Sequence, residues 1–261
     1  MLTSESYQFI NNLKRKISDI GDTKKIYQLF NVFKKHKYNY RSPSLNNVTK
    51  SFIDSESKFI PTNLYQKIQE NKRCKEIVWQ IKSSKIINCT LNLFYKHTIS
   101  NEIINNLVGA ISFIMSFSKK DLKVTFNVVL LKEKKLFHKK FTPNEINSGM
   151  ADLNNNTIYI WRKEEIVKVL IHECIHILEF SNLVDTNQII SHYNTRYNIN
   201  CKEMNINESY TEIWAKLLNC YYISTMINLN KKEQFELFIF FIQIKKEFSL
   251  IQSYKIREFI K

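Results

Sequence analysis

The sequence predicts an α+β fold, with a mostly helical region over residues 1–118 followed by a mixed region over 119–261. Three observations carry this. Gly and Pro occur three times each in 261 residues, so long helices with few tight turns are expected. Apolar residues recur every three or four positions through the first part of the chain, the spacing of a helix with one buried face. Near Asp121 the pattern changes to β-branched and aromatic runs, the composition of strands.

In chain order, Ile10, Leu13, Ile17 and Ile20 predict one helix, and Ile26, Leu29, Phe30 and Phe33 a second, separated by Gly21-Asp22. Residues 41–63, with Pro43, Pro61 and many Ser and Asn, read as irregular connection. Helices are expected over 62–82 and 100–118, and Lys85–Tyr95 fits either type of element. Val124–Leu131 predicts a strand and Lys134–Lys140 a second. Residues 143–156 read as loop, and Thr157–Trp161 as a short strand with alternating faces. An amphipathic helix follows over 162–180, with Ile166, Val167, Leu170, Ile171, Cys174, Ile177 and Leu178 apolar. Further helices are expected over 208–228, 231–246 and 248–260.

The formal net charge is +15, a balance that suits nucleic acid or an anionic surface. The basic residues are overwhelmingly Lys, however, and Lys, Asn and Ile share A/T-rich codons. No nucleic-acid motif accompanies the charge, so nucleic acid is the less favoured partner. Five scattered cysteines without a C-x-x-C pair predict free thiols in a reducing compartment. Met1–Ile20 carries no continuous apolar run of the kind a secretory signal needs, so the sequons at Asn47, Asn88 and Asn207 are read as accidental. The most apolar run, Phe235–Ile244, is about half the length needed to span a bilayer. A cytoplasmic protein without a membrane span is expected.

The chemistry-bearing motif is His172-Glu173-Cys174-Ile175-His176, an H-E-x-x-H. On a helix, residues four apart share a face. Two imidazoles so spaced can hold one Zn²⁺, and Glu173, offset by about 100°, can reach a water beside the ion. Cys174, offset by about 200°, faces away and reads as packing. A catalytic zinc needs a third protein ligand. Glu208 and Glu212 are four apart on the helix after it, so one could ligate while the other accepts from the free N–H of a ligand histidine. His192 would instead make a three-histidine set. The downstream pattern for such a site fails, because residue 179 is Glu and residue 182 is Asn.

The H-E-x-x-H helix together with Asn207-Glu208-Ser209-Tyr210-Thr211-Glu212 resembles the two active-site helices of thermolysin-type gluzincins, a branch of the zincin metallopeptidases, over residues 160–220. The resemblance implies a zincin-like domain over 119–261, with His172, His176 and Glu208 on zinc and Glu212 orienting a histidine. Two features depart from the family: Glu208 stands 32 residues after His176, a longer spacing, and Glu212 stands where the family has Asp. Thr211-Glu212-Ile213-Trp214-Ala215 is similar to the third-ligand helix of other zincins, which keeps Glu212 open as the ligand. The chain also resembles uncharacterised H-E-x-x-H proteins of large DNA viruses, which implies host cytoplasm or virion as its setting.

The expected activity is hydrolysis of peptide bonds in a protein or peptide substrate, with Glu173 as general base and zinc polarising the carbonyl. Tyr210 and His192 are the chosen catalytic candidates for the oxyanion donor, with Tyr193, Arg196 and Tyr197 nearby. The strand 157–161 is a candidate sheet edge for the substrate backbone. The competing expectation is a basic, virion-associated binding protein that keeps the zincin fold without turnover.

Overall fold

The computed structural model describes residues 23–53, 59–71, 73–135, 146–180 and 186–260. Among these residues the fold is mixed α/β, with a seven-stranded sheet. The chain divides into two compact units, Tyr38–Ala215 and Met1–Lys37 with Lys216–Lys261, the second helical in its described residues.

The larger unit is built on the sheet, whose strand order is β1-β3-β4-β5-β7-β6, with β2 also paired to β3. The strands are β1 (Asn39–Tyr40), β2 (Ser44–Thr49), β3 (Arg73–Lys82), β4 (Ile86–Tyr95), β5 (Leu122–Leu131), β6 (Gly149–Asp152) and β7 (Thr157–Arg162). Helix α1 (Thr23–Lys35) belongs to the other unit; the helices of the sheet unit include α2 (Thr62–Gln69), α3 (Asn101–Met115), α4 (Ile166–Ile177) and α5 (Asn187–Tyr197). Helix α6 (Ile206–Thr225) starts in the sheet unit, and α7 (Lys231–Ile260) closes the helical one.

The helix expected over 62–82 ends at Gln69, and residues 73–82 are strand β3. Ile77, Trp79 and Ile81 are buried at alternate positions, and this run is β-branched and aromatic, so the strand period prevails over the helical one. The open segment 85–95 is β4, antiparallel to β3 in unbroken register from Arg73↔Tyr95 to Lys82↔Ile86. One sheet therefore takes strands from both sides of residue 118, through parallel pairing of β4 with β5 and of β5 with β7. Helix α3 connects β4 to β5, the long connection that a parallel pair requires. The buried Trp79 indole donates to Ser112 Oγ on α3 at 2.9 Å. Phe52, Leu64, Ile68, Phe94, Val129 and Trp161 form one buried apolar cluster against the sheet.

Residues 143–156, expected as loop, contain β6, which pairs antiparallel with β7 from Gly149↔Ile160 to Asp152↔Thr157. The Asn cluster is the hairpin turn: Asp152 Oδ1 accepts from Asn154 N at 3.0 Å, and Asn156 takes φ 47, a conformation Asn tolerates. The strand 157–161, for which the sequence left an edge and an internal position equally open, is internal, between β5 and β6, and β6 is the edge among the described strands. The helix expected from residue 162 begins at Ile166, because Arg162 completes β7. The helices expected within 1–20 lie outside the described residues. The strand expected over 134–140 falls largely outside them too, and Lys134 and Lys135 are in no element.

In the helical unit, Phe30 packs on Tyr221 and Phe235 with ring centroids 5.6 and 5.3 Å apart, and Phe33 meets Tyr221 at 5.1 Å. Helix α7 runs unbroken where a break near residue 247 was expected, since no Gly or Pro interrupts it. Asn230 and Glu233 form a reciprocal cap at its start. Among the described residues no helix is long and apolar enough to cross a membrane.

Candidate metal centre

Helix α4 buries Val169, Leu170, Ile171, Cys174, Ile175 and Ile177. This leaves Lys168, His172 and His176, spaced four apart, along the other face. Cys174 is fully buried, and burial holds its thiol well above the ordinary range. The entry to α4 is fixed by Arg162, 2% exposed, whose Nε donates to Asn147 O and Nη1 to Glu133 O, both at 3.2 Å. That side chain ties the ends of β5 and β7 to the residue two before β6.

Helix α6 brings the carboxylates. Asn205 Oδ1 accepts from Glu208 N at 3.2 Å and caps the helix, placing Glu208 in its first turn. The long interval from His176 to Glu208 is filled by α5, capped by Thr186 and closed by Asn194, whose side chain pairs with both backbone groups of Cys201.

The geometry sorts the two carboxylates. His172 Nε2 and His176 Nε2 lie 3.2 Å apart. Glu208 spans both, with Oε2 at 3.2 Å from His172 Nε2 and Oε1 at 3.3 Å from His176 Nε2. Glu212 Oε2 instead meets the far side of the ring, at 3.2 Å from His172 Nδ1. A carboxylate only accepts, so Nδ1–H donates to Glu212 and, with no metal present, Nε2–H donates to Glu208; a metal at Nε2 would take the place of that second hydrogen while Glu212 keeps the first. Lys168 Nζ holds Glu212 in turn, at 3.1 and 3.0 Å from its two oxygens.

The electrostatics follow. Burial lowers the pKa of His172, but the hydrogen bonds that its ring donates to Glu208 and Glu212, with the charges of Glu173 and Glu212, outweigh it and bring it to about 9. The hydrogen bonds accepted from His172 and His176 hold the Glu208 carboxyl well below the usual carboxylate range. Burial raises Glu173, against the lowering effect of the two histidines. A carboxylate so raised is a better proton acceptor than one in water.

Donor chemistry and spacing can be tested against a metal. Zinc–ligand distances of about 2.0–2.1 Å in a tetrahedron put neighbouring donors about 3.3–3.4 Å apart. The three contacts among His172, His176 and Glu208 span 3.2–3.3 Å, and among the described residues these three form the group whose donor atoms could hold a metal ion. Two imidazoles and one carboxylate with an open side suit zinc.

Edge strand β6 forms the wall opposite. Gly149, Met150 and Ala151 line a cleft of about 350 Å³ together with His172, Glu173, His176 and Glu208. Gly149 lets strand and helix approach: a Cβ there would stand 2.9 Å from Val169 Cγ1, 3.1 Å from Tyr159 O and 3.2 Å from Glu173 Cγ. The structure does not bring Tyr210 or His192 to this cleft. Tyr210 is two residues past Glu208, about 200° around the helix, and its ring contacts Trp214 at 6.1 Å. His192 lies on α5, lining a separate surface cavity with Ser191 and Arg196. Tyr193 and Tyr197 stack on each other on that helix, 5.8 Å apart. Sequence reasoning missed Gly149, because it sat in an expected loop. It also missed Lys168, although that residue's position four before His172 was a usable signal.

No family model matches the chain, and no solved structure matches it. A curated relative, an uncharacterised protein of Acanthamoeba polyphaga mimivirus, is 35% identical over 77 residues. That match covers 29% of this chain and 18% of the relative, so the chain matches under a fifth of the relative's length.

Proposed function

We propose that the chain is a zinc-dependent metallopeptidase. The observation that carries this reading is the convergence of His172 Nε2, His176 Nε2 and the Glu208 carboxylate at tetrahedral-edge spacing, beside an intact Glu173 and edge strand β6. His172, His176 and Glu208 would hold the ion, which when bound supplies Lewis acidity to a carbonyl and lowers the pKa of water.

The chain's own residues supply the rest. Glu212 fixes the His172 tautomer through Nδ1–H, and Lys168 fixes Glu212. Glu173, with its pKa raised by burial, takes the proton of the attacking water at its carboxylate and hands it to the leaving amine. The outer side of β6, the edge strand among the described residues, binds the peptide backbone as an added strand across the cleft. This role passes to β6 from the internal strand β7. A peptide is the substrate class that uses such an edge, because its main chain supplies the matching N–H and C=O groups. The likeness to a mimivirus protein supports a viral setting, with host cytoplasm or virion as the site of action.

The test is Glu173→Gln. Peptide hydrolysis by the zinc-loaded protein should fall at least about a hundredfold while zinc stays bound, the effect of losing one general base. Equal hydrolysis by the variant, or none by wild type on a broad peptide library, refutes the enzyme and leaves a metal-binding scaffold.

A further inference from the structure

A second, smaller cleft of about 220 Å³ adjoins the first at the start of β6, lined by Lys135, Asn147, Ser148, Lys168, Glu173 and Glu208 among others. Its two cations differ. Lys168 is committed to Glu212 through both carboxylate oxygens. Lys135 is half-buried, and among the described residues its ammonium makes no close ion pair, although its backbone N donates to Glu164 Oε2 at 3.0 Å. Ser148, 3% exposed, lines the same cleft, and its Oγ has no hydrogen-bond partner among the described residues. The charges of Glu165 and Glu164 favour the ammonium from further off, so a half-buried cation of this kind still gains from an anion that meets it directly. Burial and then the Lys168 charge also pull the Lys135 ammonium below the ordinary lysine range.

The position gives the direction. A peptide added antiparallel to β6 runs opposite to Gly149–Asp152, so its C-terminal part lies at the Gly149 end. That is the end at which the Lys135 cleft opens.

We propose that Lys135 is a specificity residue that receives a carboxylate of the substrate on the C-terminal side of the scissile bond. This rests on the peptidase reading above. The carboxylate is an Asp or Glu side chain or the peptide's own C-terminus, and Ser148 adds a hydroxyl to the same cleft. Acidic substrates also suit a chain of net charge +15, which raises their local concentration.

The experiment captures peptides from random hexapeptide mixtures on zinc-loaded Glu173→Gln protein, with mass-spectrometric readout. One mixture has free C-termini and the other amidated ones. Captured peptides should be enriched about tenfold in carboxylates, a charged hydrogen bond's worth. Enrichment confined to the free-ended mixture assigns the α-carboxylate, and enrichment in both assigns the side chains. Lys135→Met should abolish the preference, and Lys135→Arg should retain it, with zinc content unchanged in both. Zinc-dependent capture without acidic preference, or a preference unmoved by Lys135→Met, overturns the assignment while the peptidase reading stands. No zinc-dependent capture at all overturns that reading and this inference together.

Discussion

Glu212→Gln separates a residue that holds a metal from one that holds a ligand. In the structure Glu212 touches His172 at Nδ1, and Lys168 clamps both of its oxygens, whereas Glu208 touches both Nε2 atoms. The amide keeps one acceptor for two donors, and its NH₂ faces a donor that it cannot pair with. The His172 ring then loses its fixed tautomer and orientation. Loss of such an outer partner lowers metal affinity about 10–100-fold, or about 1.4–2.7 kcal/mol. Removing a direct ligand leaves an incomplete set, so Glu208→Ala should cost more than about a hundredfold. The assay is competition with a fluorescent zinc chelator at one fixed pH, because protons compete for the same nitrogens. If Glu212→Gln costs as much as Glu208→Ala, Glu212 is the third ligand. If it costs nothing, the carboxylate does not set His172. Either result refutes the reasoning.

Other outcomes are expected. Gly149→Ala forces a Cβ to 2.9 Å from Val169 Cγ1 and should destabilise the fold by about 1–3 kcal/mol, read by urea denaturation, with Val169→Ala relieving part of the loss; an unchanged midpoint would show that β6 does not press on α4. Without metal, the raised His172 pKa contributes stability that is fully present below about 6.5 and is lost as pH rises through about 9. Zinc requires the unprotonated ring, so the rise in melting temperature on adding zinc should grow over the same interval; a zinc effect that shrinks with pH would contradict this. Burial pushes the Cys74 thiol up to about 11 and Cys220 up to about 12, and raises Cys89 and Cys174 as well. A thiol reagent should therefore label Cys201 in the native protein and all five cysteines in denaturant; fast native labelling of Cys174 would place that helix face outside the core.

What the sequence made legible was local. His172, Glu173 and His176 lie within five residues, and helical geometry alone places them on adjoining faces. The Glu208/Glu212 pair was legible for the same reason, but which of the two meets Nε2 depends on where α6 crosses α4, a tertiary fact. The wrong helix over 73–82 shows the limit of periodicity, since Ile77 and Ile81, four apart, fit a helical spacing as well as a strand. Pairing with β4 decided it. Edge strand β6 was hidden because its four residues, Gly149 to Asp152, carry no β-branched side chain, and their extended form comes from β7 beside them. Lys135 was illegible for another reason: in a chain with so many lysines, only burial distinguishes one.

The most direct measurement is metal content of the purified, zinc-reconstituted chain by elemental mass spectrometry, alongside His172→Ala and Glu208→Ala. The account predicts one zinc per wild-type chain, in keeping with a site of three protein ligands, and its loss from both variants. Wild-type protein without zinc, or variants that keep it, would contradict the central claim.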